Sequence, residues 1–222
     1  MNPLQPINIY THVIAGGLLL AIGLISMLSQ KGGVWHIRAG RIYFKLYLVV
    51  LVSAVIGIIF FRSPPALMAI TLSACYGFFS GIRALKIKAI GPQLLDNIIS
   101  VCAIAAGVLL LTIMSKNGSA SWSPIMGYSV VGITTTIALY DLSRNFWVKT
   151  WTHKIWPVDH GLKIVGNYFA AASAASGNLI RDFQPWSQIL PSIIGTVLSI
   201  VLIYLYLRGK RLEAGNSPRS EI

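Results

Sequence analysis

Seven stretches of this chain are each apolar for about 20 residues, the length a helix needs to cross the hydrocarbon core of a bilayer. They cover residues 7–28, 42–61, 65–85, 97–114, 124–142, 162–180 and 189–207. In lipid the backbone polar groups must be satisfied internally, so runs of this length fold as helices. Polar or Gly/Pro-rich breaks separate them: Gln30-Lys31-Gly32-Gly33, Arg62-Ser63-Pro64-Pro65, Lys116-Asn117-Gly118-Ser119 and Gln184-Pro185. Connections this short make sequence neighbours pack antiparallel. The expected fold is all-α: an integral membrane bundle of seven transmembrane helices in one domain over residues 1–208, with a short polar tail over 209–222.

Composition excludes the soluble alternatives. Charged residues make up 11% of the chain and apolar residues 55%, whereas a solvated surface normally needs about 25% charged residues. A disordered chain, a disulfide scaffold, a coiled coil and a nucleic-acid module all fail on that count. The two cysteines, Cys75 and Cys102, lie inside apolar runs and read as small hydrophobes. The two glutamates, Glu213 and Glu221, both lie in the tail, which excludes an intramembrane glutamate relay. Residues 1–10 carry no basic residue, so no cleavable signal peptide is expected.

The net charge of +12 is largely topological. One set of connections holds Lys31, Arg38, Arg41, Lys45, Arg83, Lys86, Lys88, Arg144, Lys149, Lys154, Lys163, Arg208, Lys210, Arg211 and Arg219. The other holds Arg62, Lys116 and Arg181, a division of 15 against 3. The positive-inside rule then puts the N-terminus outside and the C-terminus in the cytoplasm of a bacterial inner membrane. Anionic headgroups of that bilayer are the expected partners, and nucleic acid is not. Between the fifth and sixth spans, Trp147, Trp151 and Ile155 share one helical face, predicting an interfacial helix over about 145–156 with its indoles at headgroup depth.

Ionisable residues within spans are costly and mark candidate sites. His12 lies one turn into the first span, with Gly16, Gly17 and Gly23 offering a smooth face to a neighbouring helix. The spacing His12-x-x-x-Gly16 recurs as His36-x-x-x-Gly40 at the start of the second span. His12 belongs to the outer end and His36 to the inner end, so the two cannot share one iron. At the inner end four separate spans place His36, Asp96, Asp141 and the pair Asp159-His160 at one depth. His36, His160, Asp159 and Asp96 form a plausible nitrogen-and-oxygen shell for a divalent metal. Helix capping by Asp96 and Asp159, and pairing of Asp141 with Arg144, is the competing use. The sixth span carries Asn167, Tyr168, Ser173, Ser176 and Asn178 in an alanine-rich run, suited to a helix packed on all sides or to a solute path along Asn167, Ser173 and Asn178. No Walker loop, dinucleotide fingerprint, nucleophile elbow or His-Glu-x-x-His sequence occurs.

On His12 with Gly16, Lys31-Gly32-Gly33, His36 with Gly40 and Tyr43, and Asp159-His160 through Asn167-Tyr168 to Pro191, the chain resembles a family of small bacterial polytopic membrane proteins catalogued as a domain of unknown function. The resemblance covers about two-thirds of the chain and implies an inner-membrane protein without implying an activity. Its histidine placement is similar in pattern to that of small membrane cytochromes b.

Three functions fit these observations. A cofactor-binding protein would use His36 and His160 as ligands to haem b or to a divalent metal, with His12 as a further candidate. A small-solute transporter would use the Asn167–Asn178 face, with His12 as outer gate. A non-catalytic assembly or scaffold protein would bind a membrane-protein partner through its tryptophans and small-residue faces.

Overall fold

The computed structural model describes residues 3–61, 65–117 and 124–215. Among them there is no strand, and seven long helices carry the fold. These are α1 (Leu4–Leu28), α2 (Val34–Phe60), α3 (Pro65–Lys86), α4 (Leu94–Asn117), α5 (Pro124–Ser143), α6 (Trp156–Leu179) and α7 (Trp186–Gly215). Most extend beyond the apolar stretches, because a backbone helix continues past the first charged residue. Thus α2 begins at Val34 rather than 42 and takes in Arg38, Arg41 and Lys45, and α6 begins at Trp156 rather than 162. The tail is helical as far as Gly215, and residues 216–222 lie outside the described residues.

Among the described residues, five helices are long and apolar enough to cross a membrane, over Leu4–Leu28, Val34–Phe60, Leu67–Lys86, Leu94–Ile113 and Trp186–Gly209. The helix α6 is not among them: Asp159, His160, Lys163 and Asn167 on its first turns dilute its apolarity. The protein is inside-out relative to a soluble one. Asp96, Asp141, Arg144, Asp159 and Lys163 are buried, while Ile59, Phe60, Ile194, Ile200 and Leu205 are exposed. Burial of charge under an apolar exterior is the arrangement a hydrocarbon solvent selects.

The helices α3 and α6 are the central pair. The former packs on α2, α4, α5 and α6, and the latter on α1, α3 and α7. The expectation that the sixth span is packed on all sides holds only in part, because Gly166, Ala170, Ala174 and Asn178 form an exposed stripe along one side of α6. A tight turn joins α1 to α2, with Gly32 in the left-handed region (φ +76°) and Gly33 in extended backbone as the N-cap of α2. Each end of the α1–α2 hairpin is tied by a histidine. His12 Nδ1 donates to Ser53 Oγ (2.9 Å), whose own hydroxyl is given to Val50 O, and His36 Nδ1 donates to Ser26 O (2.9 Å). Deeper in, Leu19, Tyr43, Tyr47, Phe78 and Tyr168 form a core shared by α1, α2, α3 and α6, with Tyr47 stacked on Phe78 at 4.1 Å between centroids.

The glycine face of α1 is used only in part. A Cβ on Gly23 would lie 2.7 Å from Tyr168 and 2.9 Å from Tyr43, so this glycine admits two rings. Nothing approaches Gly16 or Gly17 within 4 Å, contrary to the close helix contact expected there.

The segment before α6 also departs from expectation. Instead of one interfacial helix over 145–156 it forms a 3-10 turn (Arg144–Phe146), one α turn (Val148–Thr150) and a π segment (Trp151–Ile155) that runs into α6. Trp151 is fully buried beside Ala84 and Ile87, because its indole N–H donates to Asp159 Oδ2 at 2.9 Å. A buried indole needs an acceptor and a buried carboxylate needs donors, and bending the segment satisfies both.

Candidate functional site

The basic end of the bundle gathers two separate groups of polar residues. The first is a closed ring of charge between α5 and α6. Asp141 and Arg144 are three residues apart, and Asp159 and Lys163 four apart, so each pair lies along one side of its segment. Lys163 Nζ then bridges both carboxylates, at 2.5 Å to Asp141 and 2.7 Å to Asp159. Arg144 does the same at 3.1 Å to each. The second Asp141 oxygen accepts from Tyr76 Oη (2.8 Å) and from Ser80 Oγ, both on α3. Tyr76 also meets Ser100 Oγ on α4 at 2.8 Å.

Two carboxylates and two cations sum to zero charge, and every carboxylate oxygen of Asp141 and Asp159 has a partner. Beside this ring Asp96 takes both prongs of Arg83, at 2.6 and 2.9 Å, and accepts the Gln93 N–H at the start of α4. The space bounded by Tyr76, Ser80, Arg83, Asp96, Asp141 and Arg144 holds no room for a water molecule. A dry, neutral and fully bonded cluster is a structural lock that sets which helices meet. Its chemistry is occupied by its own members.

The second group is the histidine pair. His160, in the first turns of α6, donates Nδ1–H to Gly81 O on α3 at 2.8 Å. His36, in the first turn of α2, donates Nδ1–H to Ser26 O on α1. A carbonyl can only accept, so Nδ1 carries the proton in both rings and Nε2 of the neutral ring holds a lone pair. Neither Nε2 has a hydrogen-bond partner among the described residues.

The predicted metal shell divides between these groups. His36 and His160 are each tied to a backbone carbonyl through Nδ1, whereas Asp159 belongs to Arg144, Lys163 and Trp151, and Asp96 belongs to Arg83. No cluster of three or more His, Cys, Asp or Glu side chains able to hold a metal ion occurs among the described residues. The correction has a simple cause: buried carboxylates next to guanidinium and ammonium groups are neutralised by them first. Asp159 does not cap α6 either, since no side-chain cap bond forms there. The pairing of Asp141 with Arg144 is present, and Lys163, read as a loop cation, is the residue that completes the ring.

His12 lies toward the other end of α1, bonded to Ser53, far along the helix from His36 and its partner Ser26. The three solute-path residues face different neighbours. Asn167 accepts from Tyr47 Oη (3.0 Å) and donates to Lys163 O, Ser173 meets Ser192 on α7, and exposed Asn178 bonds back to Ala174 O. They do not line one path. The sequence reading missed Tyr76, Ser80, Ser100 and Trp151; of these only the indole of Trp151, eight residues before Asp159, carried a usable signal.

Comparison with protein families, curated proteins and solved structures finds no match to this chain.

Proposed function

We propose that this is a seven-span bacterial inner-membrane protein, N-terminus outside and C-terminus in the cytoplasm, that holds a transition-metal centre through His36 and His160 at its cytoplasmic end. It belongs, on this reading, with the small polytopic membrane proteins it resembles. The observation that carries the reading is the matched bonding of the two imidazoles. Ligating histidines usually give their other ring N–H to a carbonyl or carboxylate, which fixes the tautomer and aims the free nitrogen. Both His36 and His160 have that arrangement. When bound, such a centre supplies electron transfer or Lewis acidity.

Charge distribution supports the orientation, since the connections around the histidine pair carry most of the basic residues and would face anionic headgroups. The solute-path reading loses support because Asn167, Ser173 and Asn178 are directed to separate partners. Optical spectra of the detergent-purified protein, oxidised and then reduced with dithionite, together with its metal content, test the proposal. A Soret band that shifts on reduction, or one equivalent of metal, is expected and is lost in His160→Ala. A flat spectrum without metal refutes it. A reporter fused after Gly215 that is active only outside the cytoplasm refutes the orientation.

A further inference from the structure

The helix α2 carries one exposed line of side chains from end to end. Positions 34, 38, 41, 45, 48, 52, 55 and 59 follow at alternating steps of four and three residues, the spacing that keeps a line on one side of an α-helix. All of them are exposed, whereas Ala39, Tyr43 and Tyr47 are turned away from the line and buried. The line changes character once. Arg38, Arg41 and Lys45 occupy its first half, and Leu48, Val52, Val55 and Ile59 complete it.

The dimensions and the charge of this face match one kind of molecule. A helix rises about 1.5 Å per residue, so Arg38 to Lys45 spans about 10 Å and Leu48 to Ile59 about 16 Å. The second length is close to half of the roughly 30 Å hydrocarbon core, the depth of one leaflet. Long side chains on a helix lean toward its N-terminus, so the stems of all three cations run toward the basic end of the bundle. None of the three takes part in an ion pair among the described residues, where the acids of that end, Asp96, Asp141 and Asp159, are buried and held by Arg83, Arg144 and Lys163. A zwitterionic headgroup would therefore meet cations here with no exposed carboxylate, among the described side chains, for its ammonium group.

We infer that this face of α2 docks an anionic phospholipid with two phosphates in one headgroup, the phosphates at Arg38, Arg41 and Lys45 and an acyl chain along Leu48, Val52 and Ile59. The inference goes beyond the metal centre proposed above and does not involve it. Guanidinium groups give paired N–H bonds to phosphate oxygens, and the lysine ammonium adds a point charge. Three cations spread over about 10 Å exceed the single charge of one phosphodiester, and two phosphates answer them better. A soluble anion would leave the apolar half of the face bare, whereas a lipid covers both halves.

The test titrates the full chain in detergent with cardiolipin, phosphatidylglycerol or phosphatidylcholine and reads retained lipid by native mass spectrometry. Wild type should retain one cardiolipin, bind phosphatidylglycerol at least about fivefold more weakly and retain no phosphatidylcholine, since each cation near the surface is worth about fivefold toward an anionic headgroup. By the same factor, Arg38→Gln/Arg41→Gln/Lys45→Gln should weaken cardiolipin binding roughly hundredfold. Lys86→Gln/Lys149→Gln/Lys154→Gln removes the same charge from other exposed positions at that end and should keep most of the wild-type affinity. Without lipid the α2 variant should melt with wild type, because its three side chains form no ion pair among the described residues. Should it unfold, the single Arg41→Gln, about fivefold weaker for cardiolipin, replaces it. Equal losses in the two triple variants, or equal retention of phosphatidylcholine, overturn the inference. Retention of no lipid overturns it too and leaves the cations to an acidic protein segment. Metal content and optical spectrum do not enter this measurement, so this inference and the proposed function fail separately.

Discussion

Replacing Lys163 by methionine tests whether the charge ring holds the bundle together. Lys163 is 6% exposed and bridges two carboxylates that are each 2% exposed. Methionine keeps the length of the stem and removes the charge. Asp141 and Asp159 would then share Arg144 alone, leaving one uncompensated negative charge on buried carboxylates. Breaking a buried pair by removing one partner costs about 3–5 kcal/mol. For a chain of this size about 2–4 °C of melting temperature accompanies each kcal/mol. The expected fall is thus roughly 6–20 °C.

The double variant Lys163→Met with Asp159→Asn separates charge from packing. It restores neutrality, with Arg144 facing Asp141, and the asparagine oxygen still accepts from Trp151. Thermal unfolding of wild type, both single variants and the double variant in one detergent forms a complete cycle. The double variant should be more stable than the summed single losses predict, by at least about 2 kcal/mol, because contacting charges couple at that scale. A Lys163→Met loss below about 1 kcal/mol, or strict additivity in the cycle, would refute the view that charge neutrality is what locks α5 to α6.

Two further substitutions probe the packing. Gly23→Ala places a methyl within 2.7–2.9 Å of the Tyr168 and Tyr43 rings and should cost about 1–3 kcal/mol in thermal unfolding, while Gly16→Ala, open on all sides, should be neutral or stabilise by up to about 1 kcal/mol. Equal effects at both positions would contradict the asymmetry of the α1 face. Trp151→Phe removes the indole donor from Asp159 and should destabilise by roughly 1–3 kcal/mol, whereas the same change at exposed Trp35 should leave the melting temperature unchanged. A tolerant Trp151 would place it at a lipid-facing surface after all.

The helices were legible because apolar length alone encodes them. Their ends were not, since Arg38, Arg41 and Lys45 end an apolar count without ending α2. Helix order was illegible for a related reason. With apolar side chains on every face, periodicity does not distinguish the side of α2 that meets α3 from the side that meets lipid. Only the polar residues carry that information. The spacings Asp141/Arg144 and Asp159/Lys163 predict pairs along their own segments, but the bridge from Lys163 to Asp141 joins two helices and has no local signature.

The same physics explains why Asp96 and Asp159 do not join the expected metal shell. At sequence level a carboxylate at the right depth counts equally as ligand or as ion-pair partner, and depth was the only coordinate available. In the folded chain the competition is decided by what stands within reach. Asp96 and Asp159 meet Arg83, Arg144 and Lys163, permanent cations that any metal would have to displace. His36 Nδ1 meets the Ser26 carbonyl and, more distantly, the Ser26 hydroxyl, and His160 Nδ1 meets the Gly81 carbonyl. An imidazole tied in this way has a spare lone pair, whereas a carboxylate chelated by guanidinium has little left to offer. The two groups at the basic end therefore differ in chemistry: the carboxylates are consumed in holding the helices in register, and each imidazole is bonded through Nδ1 alone.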